Sequence, residues 1–474
     1  MTVPAKNGPA GGMPAEAPED ARDPAPPTQH RLPVDNALEL AVQLHRSGEV
    51  VIAERVYRRI LESIPDQPDA THYLGVLHHA TGRSDEAVRL IRRAIALNGD
   101  DPGMRNNLGN VLSELGRAEE AAEAYFAAFE RDPSNLDVLN NLGVTLRALN
   151  RFNDSEAAYR RVIALDPTHR EAHDNLGRLL ASRGRFDEAA ACHQRALTLE
   201  PRNAETRRLL ADMHAMRGDR AKAVAVLDDW LDDEPGSVTA RHLRAAISGE
   251  DVPARASDDY VALVFDRFAA SFDRKLQSLD YRAPTLVADA LAAVVAPGAA
   301  LDILDAGCGT GLCGPLVAVW ARRLDGVDLS EEMLARAARR DCYHALAHAE
   351  LTRFLGDRPG AYDLVLSADT LCYFGDLSGA LLAARHALRP DGRLIFTVEA
   401  ASEDSASGSF TLNHHGRYSH GAAYVTEALV AAGFVPETVG RHTLRLQRGE
   451  PVAGLVVTAR RAEGDAPQPL SLSR

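Results

Sequence analysis

Glycine returns every 34 residues through the first half of this chain. Gly48, Gly82, Gly116, Gly184 and Gly218 mark the step, and Asn150 fills the vacant place. Asparagine suits it because it too tolerates the left-handed turn conformation. A second series at the same step is Pro65, Gly99, Pro133, Pro167, Pro201 and Pro235. Between these lie Ala53, Ala87, Ala121, Ser155, Ala189 and Ala223, and a fourth series runs Ala41, Gly75, Gly109, Gly143, Gly177 and Ala211. The pattern implies units of two amphipathic helices, with a turn at the glycine and a break at the proline. Small residues in both helices let the backbones approach. Leu108, Leu142 and Leu176 in the first helix, and Tyr57, Tyr125 and Tyr159 in the second, fill the gap. Six units are expected, near 34–67, 68–101, 102–135, 136–169, 170–203 and 204–237. A helix near 237–248 would cap the last apolar face, which a stacked array needs.

This unit closely resembles the tetratricopeptide repeat. The resemblance implies a solenoid whose first helices line a concave surface able to hold a polypeptide substrate or partner. Asn107, Asn141 and Asn175 occupy one place in three successive units, just before the helix leucine. They resemble the asparagine ladder of the repeat array in O-linked N-acetylglucosamine transferases, where each amide offers a donor and an acceptor to a peptide backbone. The bland alternatives are a spacer array and a subtype consensus at these three positions.

Composition bounds the rest. The chain has 474 residues, which suggests about three domains. Its net charge is −14, with −8 before Asp251 and −6 from Asp251 onward. Neither half is basic, so a nucleic-acid partner is not expected. Cys192, Cys308, Cys313, Cys342 and Cys372 are five in number and none form a CxxC pair, which argues for reduced thiols, a cytoplasmic setting and no zinc site. No apolar run reaches the roughly 18 residues a membrane helix needs, so no membrane partner is expected. Residues 1–33 read as a disordered leader and 463–474 as a flexible tail. The array with its cap then spans 34–250 and a second domain 251–462.

In that second domain the periodicity changes. Helical patterning around Val261, Leu263, Phe265 and Phe268, and from Leu286 to Val295, precedes a short apolar strand, Leu301–Asp305. The strand runs into Ala306-Gly307-Cys308-Gly309-Thr310-Gly311 and then a helix expected from Leu312 to about Trp320. A strand, a glycine-rich turn and a helix open a nucleotide-type binding site. A second strand ends at Asp328, with a helix from about Glu331 to Arg340 capped by Ser330. Ala361–Ser367 reads as a buried strand, Ser378–Leu388 as a helix and Gly392–Val398 as a further strand. Tyr424–Ala432 reads as a helix, and Arg441–Gln447 with Ala453–Arg460 as a closing hairpin. Alternating strands and helices imply a mostly parallel sheet with an antiparallel edge.

These motifs resemble those of class I S-adenosylmethionine-dependent methyltransferases. Ile303–Gly311 is similar to the family's apolar strand, acid and G-x-G-x-G; Asp363-Leu364-Val365 is similar to its fourth strand. Arg389-Pro390-Asp391-Gly392 is similar to the turn before its fifth strand. The combination with repeats resembles a bacterial family of repeat-containing methyltransferases, whose pre-domain segment is similar to Phe265–Asp273. The fold implied is a seven-stranded Rossmann-like α/β domain behind an all-α solenoid. The implied cosubstrate is S-adenosylmethionine, with Gly307, Cys308, Gly309 and Gly311 under its methionine portion and Asp305 toward its amino group. Asp328 would accept the ribose hydroxyls, Leu329 would lie on the adenine, and Glu350 with Leu351 would approach the adenine edge. Gly309–Gly314 also fits the dinucleotide fingerprint. Asp305 speaks against that rival, because an acid there suits a cation and repels a pyrophosphate.

On the acceptor side, Asp369 and Tyr373 follow the fourth strand. Asn413–His420 packs His414, His415, Arg417, Tyr418 and His420 into a segment expected to loop over the site. Asp369, Tyr373, His414, Tyr418 and His420 are the candidate catalytic groups. The segment after the fourth strand lacks the Asn/Asp-Pro-Pro-aromatic pattern of base N-methylation enzymes. No acid accompanies the three histidines, so no metal site is expected. The reading is methyl transfer to a protein or small-molecule acceptor. The alternative is an interaction adaptor whose second domain senses cofactor or has lost its activity.

Overall fold

The computed structural model describes residues 32–99, 101–269, 272–401, 409–447 and 449–464. The expected leader, apart from Leu32 and Pro33, and the tail beyond Gly464 lie outside these residues, as do Ala270 and Ser271. The chain divides at Asn150 into two compact units.

The first unit contains seven helices among its described residues, from Val34–Arg46 to Leu136–Ala148. The 34-residue glycines turn the chain between paired helices. Gly48, Gly82 and Gly116 sit at φ +83°, +82° and +75°, and Asn150 at +59°. Inside the pairs, size decides the residue: a Cβ on Gly109 would lie 2.6 Å from the Tyr125 ring. Leu108 and Tyr125 are both buried there. The half-buried ladder asparagines are engaged within this unit. Asn107 Nδ2 lies 3.0 Å from His72 Nε2, and Asn141 Nδ2 donates to Asn110 Oδ1 at 3.3 Å.

The second unit begins with five more repeat helices, from Phe152–Leu165 to Arg220–Asp233, and the helix Val238–Ser248. That last helix covers the apolar face of the final repeat through Ala240, Leu243 and Ile247. It also reaches the α/β domain. His242 Nε2 donates to the Gly416 carbonyl at 2.9 Å, and its ring stacks on Tyr260 at 4.1 Å.

Nine strands form one sheet among the described residues: β1 (Leu301–Ala306), β2 (Ala321–Asp328), β3 (Ala345–His348), β4 (Tyr362–Ser367), β5 (Leu388–Ala400), β6 (Phe410–Leu412), β7 (Tyr418–His420), β8 (Phe434–Gln447) and β9 (Glu450–Arg461). β3, β2, β1, β4 and β5 lie side by side and parallel. β9 runs antiparallel on β5, with β8 beyond it. Successive residues of the central strands enter opposite faces, as the pleat requires. Leu304, Val365 and Phe396 join one core, and Ile303, Leu364 and Ile395 the other. A sheet covered on both faces reads as continuous apolar runs, which is why these strands were visible in the sequence.

The expectation of seven strands is corrected by β6 and β7, a short hairpin that replaces the expected loop and pairs with the end of β5. The helix expected from Leu312 starts at Gly314 as Gly314–Val317 and ends in a 3-10 turn, Ala318–Trp320. The closing hairpin is longer than expected. Leu351–Gly356 is a short helix.

Candidate active site

A cavity of about 500 Å³ opens at the carboxyl ends of β1, β2 and β4, where open α/β sheets bind ligands. Gly307, Cys308, Gly309, Asp328, Leu329, Glu350 and Leu351 all border it, as do Asp369 and Tyr373.

The glycine loop after β1 has divided duties. Gly309, at φ +53°, has nothing within 4 Å of where a Cβ would stand, so the cavity begins at its backbone. Gly307 is small because Thr370 lies against it; its Cβ would fall 2.2 Å from Thr370 Oγ1. Gly311 does not border the cavity. Its Cβ would meet the Tyr343 ring at 2.9 Å, so its small size serves the packing of the loop.

Asp328 ends β2. Its Oδ2 accepts the Gly309 N–H at 2.8 Å and its Oδ1 the Ser330 N–H at 2.9 Å. A carboxylate has about four lone-pair sites, so each oxygen retains capacity for a ligand hydroxyl. Burial pushes this carboxyl's pKa up, and the backbone donors oppose the rise. Asp305 lies behind the loop and not on the cavity wall. Tyr343 donates its hydroxyl to Oδ2 at 2.6 Å, while Oδ1 is buried without a donor. Desolvation raises its pKa to about 7 against the Tyr343 hydrogen bond, with the Asp328 charge adding to the rise.

Glu350 borders the cavity, yet its carboxylate is spent nearby. It accepts the Thr352 and Arg353 N–H groups at 2.9 and 2.8 Å and the Thr352 hydroxyl at 2.6 Å, capping Leu351–Gly356. Burial raises its pKa, but these donors outweigh that and hold it below the ordinary value.

Two acids of the Phe265–Asp273 segment fasten this side. Ser330 Oγ donates to Asp266 at 2.5 Å, and Thr310 Oγ1 donates to Asp273 at 2.5 Å. Arg340 donates to Asp273 and to the Thr310 carbonyl. Helices Asp258–Phe268 and Phe272–Ser278 thereby cover the cavity with Phe265, Phe268 and Phe272.

The candidate catalytic groups separate in space. Asp369, in the left-handed region at φ +59°, anchors its N–H on Thr397 Oγ1 at 2.8 Å. Tyr373 is buried on the wall, its ring edge-on to Phe265. His414, Tyr418 and His420 do not border the cavity. His414 faces Asp212 of the last repeat at 3.8 Å. Tyr418 donates to the Pro253 carbonyl at 2.7 Å, and His420 Nε2 to the Phe374 and Gly375 carbonyls at 2.9 and 3.1 Å. The short β7 pairing turns both rings inward, where backbone carbonyls take the Tyr418 hydroxyl and His420 Nε2, while His420 Nδ1 is buried without a partner. The neighbours that do reach the cavity are His415 and Arg417, joined by Arg445 from β8 and Tyr281. Arg445 pairs with Asp369 at 3.2 Å and with buried Glu399. Glu399, Arg445 and Tyr281 carry no local sequence motif, and only the sheet brings them together.

Among the described residues, no three His, Cys, Asp or Glu side chains gather as a metal site, and no helix is long and apolar enough to cross a membrane. All five cysteines are free thiols.

A family profile described as a methyltransferase domain matches residues 304–394. Profiles described as tetratricopeptide repeats match 38–102, 106–170 and 180–247. The chain is 33% identical over 143 residues to methyltransferase-like protein 27 of Homo sapiens, covering 30% of this chain and 58% of that protein. It is 30% identical over 141 residues to a probable S-adenosylmethionine-dependent methyltransferase of Mycolicibacterium smegmatis, covering 29% and 54%. It therefore spans about half the length of these relatives. A structure from a functional characterization of Pseudomonas aeruginosa pilF shares 21% identity at a TM-score of 0.39, covering 45% of this chain and 96% of that one.

Proposed function

With a tetratricopeptide-repeat array and a class I methyltransferase domain on one chain, we propose that the cavity binds S-adenosylmethionine and passes its methyl group to an acceptor. The observation that carries the reading is Asp328. It is a half-buried carboxylate at the end of β2, oriented by two backbone donors, across from a glycine whose backbone is bare to the cavity. Asp328 would take the two ribose hydroxyls, and Leu329 and Leu351 supply apolar surface for the adenine. Gly307 and Gly309 give the methionine portion room. Asp305 answers the ammonium from behind the loop, a role that its unpaired Oδ1 leaves open. Glu350 contributes by fixing the Leu351 backbone and not by its own carboxylate.

The bound sulfonium supplies an electrophilic methyl. The chain's share of the chemistry is then to orient the acceptor and exclude water, a gain of proximity and alignment. The two helices carrying Phe265, Phe268 and Phe272 do the excluding. The array's part is to recruit a polypeptide, substrate or partner, along its inner helices, with Asn107, Asn141 and Asn175 as candidate contacts. The free thiols suit a cytoplasmic protein. Titration of the full chain with S-adenosylhomocysteine tests the reading. Binding at one site, abolished or weakened in Asp328→Ala, supports it; binding of NADH instead would return the cavity to the dinucleotide reading. An adaptor that no longer uses the cavity would bind neither.

A further inference from the structure

Away from Asp328, the cavity ends in aromatic walls and a charged floor. Phe265, Phe272, Tyr281 and Tyr373 supply the walls. The floor is Asp369, His415, Arg417 and Arg445 over buried Glu399. Its charges are answered within the protein. Arg445 meets Asp369 at 3.2 Å and also Glu399, and Arg417 Nε donates to Glu399 Oε1 at 3.0 Å. Two guanidiniums thus balance two carboxylates. Of the other cations on the wall, Lys275 rests over the Phe268 ring at 4.5 Å and Arg255 pairs with Asp258 at 2.7 Å.

Two floor atoms have no hydrogen-bond partner although they are buried: Asp369 Oδ1 and His415 Nδ1. The His415 ring is neutral. Burial, with help from Arg417, His414 and Arg445, lowers its pKa to about 3. Its Nε2 lies 3.7 Å from Glu399. Asp369 Oδ1, a carboxylate oxygen, therefore asks for a hydrogen donor. A carboxylate acceptor brings none at neutral pH and adds negative charge beside Asp369 and Glu399. An ammonium brings donors, yet it would stand among Arg417, Arg445 and Lys275 and has no lone pair until it loses a proton. A hydroxyl brings one hydrogen, no charge and a lone pair, and the aromatic walls suit an apolar body behind it.

Resting on the reading above, we infer that the acceptor is a neutral hydroxyl carried on an apolar or aromatic body, and that Asp369 receives its proton. The hydroxyl oxygen forms the new carbon–oxygen bond as the donor's carbon–sulfur bond breaks, with that bonding pair left on sulfur. The hydroxyl proton passes to the Asp369 carboxylate, which Arg445 and the Thr397 anchor hold in place. The same chemistry is available on a free small molecule or on a tyrosine side chain.

The experiment uses the full chain, cell extract and S-adenosylmethionine carrying a radiolabelled methyl. Labelled product is divided into acid-precipitable protein and soluble small molecules, and each fraction is treated with mild alkali and with hot hydriodic acid. A methyl ether resists alkali and releases volatile methyl iodide in hydriodic acid, and that result is expected. Label in the protein fraction assigns the hydroxyl to a side chain, and label in the soluble fraction to a small molecule. Volatile label after alkali means a carboxyl ester, and label resistant to both reagents means nitrogen or carbon; either overturns the inference and leaves methyl transfer standing. No label at all removes the functional reading and the inference together. Asp369→Ala should bind S-adenosylhomocysteine within about twofold of the unmodified chain, which also verifies its fold. Its transfer rate should fall at least ~100-fold, the usual scale for losing a general base. A rate equal to that of the unmodified chain would overturn the role of Asp369.

Discussion

The turn glycines of the repeats and the loop glycines after β1 share a backbone region and differ in their surroundings. Gly116 at φ +75° and Gly309 at φ +53° each have nothing within 4 Å of a Cβ. Gly116 sits at a turn between two repeat helices, whereas Gly309 borders a cavity. Gly307 and Gly311 press against Thr370 and Tyr343. One residue type thus serves turn geometry in the first region, and packing and ligand access in the second.

Substitutions can separate these uses, beginning with the largest effect. Gly307→Val would force a β-branched side chain into the left-handed region against Thr370. It should destabilise the α/β domain by about 3 kcal/mol or more. Urea unfolding followed by circular dichroism measures this, and a mutant as stable as the parent would break the packing account. Gly309→Ala and Gly116→Ala should each cost about 1–2 kcal/mol of stability, the usual penalty for an L-residue in that conformation. Only Gly309→Ala should also weaken S-adenosylhomocysteine, by more than about tenfold, since its Cβ would project into the cavity. Equal ligand affinity in both mutants would mean that Gly309, like Gly116, serves turn geometry alone.

Much of this contrast was legible in the sequence, because turn chemistry and buried parallel strands are local signals. The 34-residue step located every repeat turn, and Asn150 was readable as a substitute for glycine. Ile303–Gly311 and Asp328 were readable because an apolar strand, a glycine turn and a terminal acid lie consecutively. The acceptor side was not. Glu399 and Arg445 stand on two strands and Arg417 just before a third, and the contacts that unite them follow from register. His414, Tyr418 and His420 looked chemical because they cluster in the chain. A sequence does not reveal that the Tyr418 hydroxyl and His420 Nε2 are spent on backbone carbonyls, or that His414 points toward Asp212.

A smaller effect tests the positive charge expected near Asp305. Its pKa of about 7 lies above the ordinary carboxylate value, so the native protein favours the protonated acid. The resulting stability is present at low pH and is lost as pH rises through about 7. A ligand ammonium favours the ionised form instead. Affinity for S-adenosylhomocysteine should therefore rise with pH, by roughly tenfold between pH 6 and 8, and Asp305→Asn should flatten the profile. A profile unchanged by Asp305→Asn would detach that residue from the ligand.

The smallest expected effect lies in the repeats. Asn107→Ala and Asn141→Ala each remove a half-buried side-chain contact to a neighbouring helix. Each should lower stability by about 0.5–1 kcal/mol and leave the affinity for S-adenosylhomocysteine unchanged. A change in that affinity would mean that the two regions do not act separately.

The central claim is that Asp328 holds the methyl donor's ribose. Calorimetric titration of the full chain and of Asp328→Ala with S-adenosylhomocysteine tests it most directly. Each charge-assisted hydrogen bond lost should weaken binding by about 1.5–3 kcal/mol, roughly 10- to 150-fold, with melting of the repeats unaltered. Equal affinity in a folded Asp328→Ala protein would contradict the account.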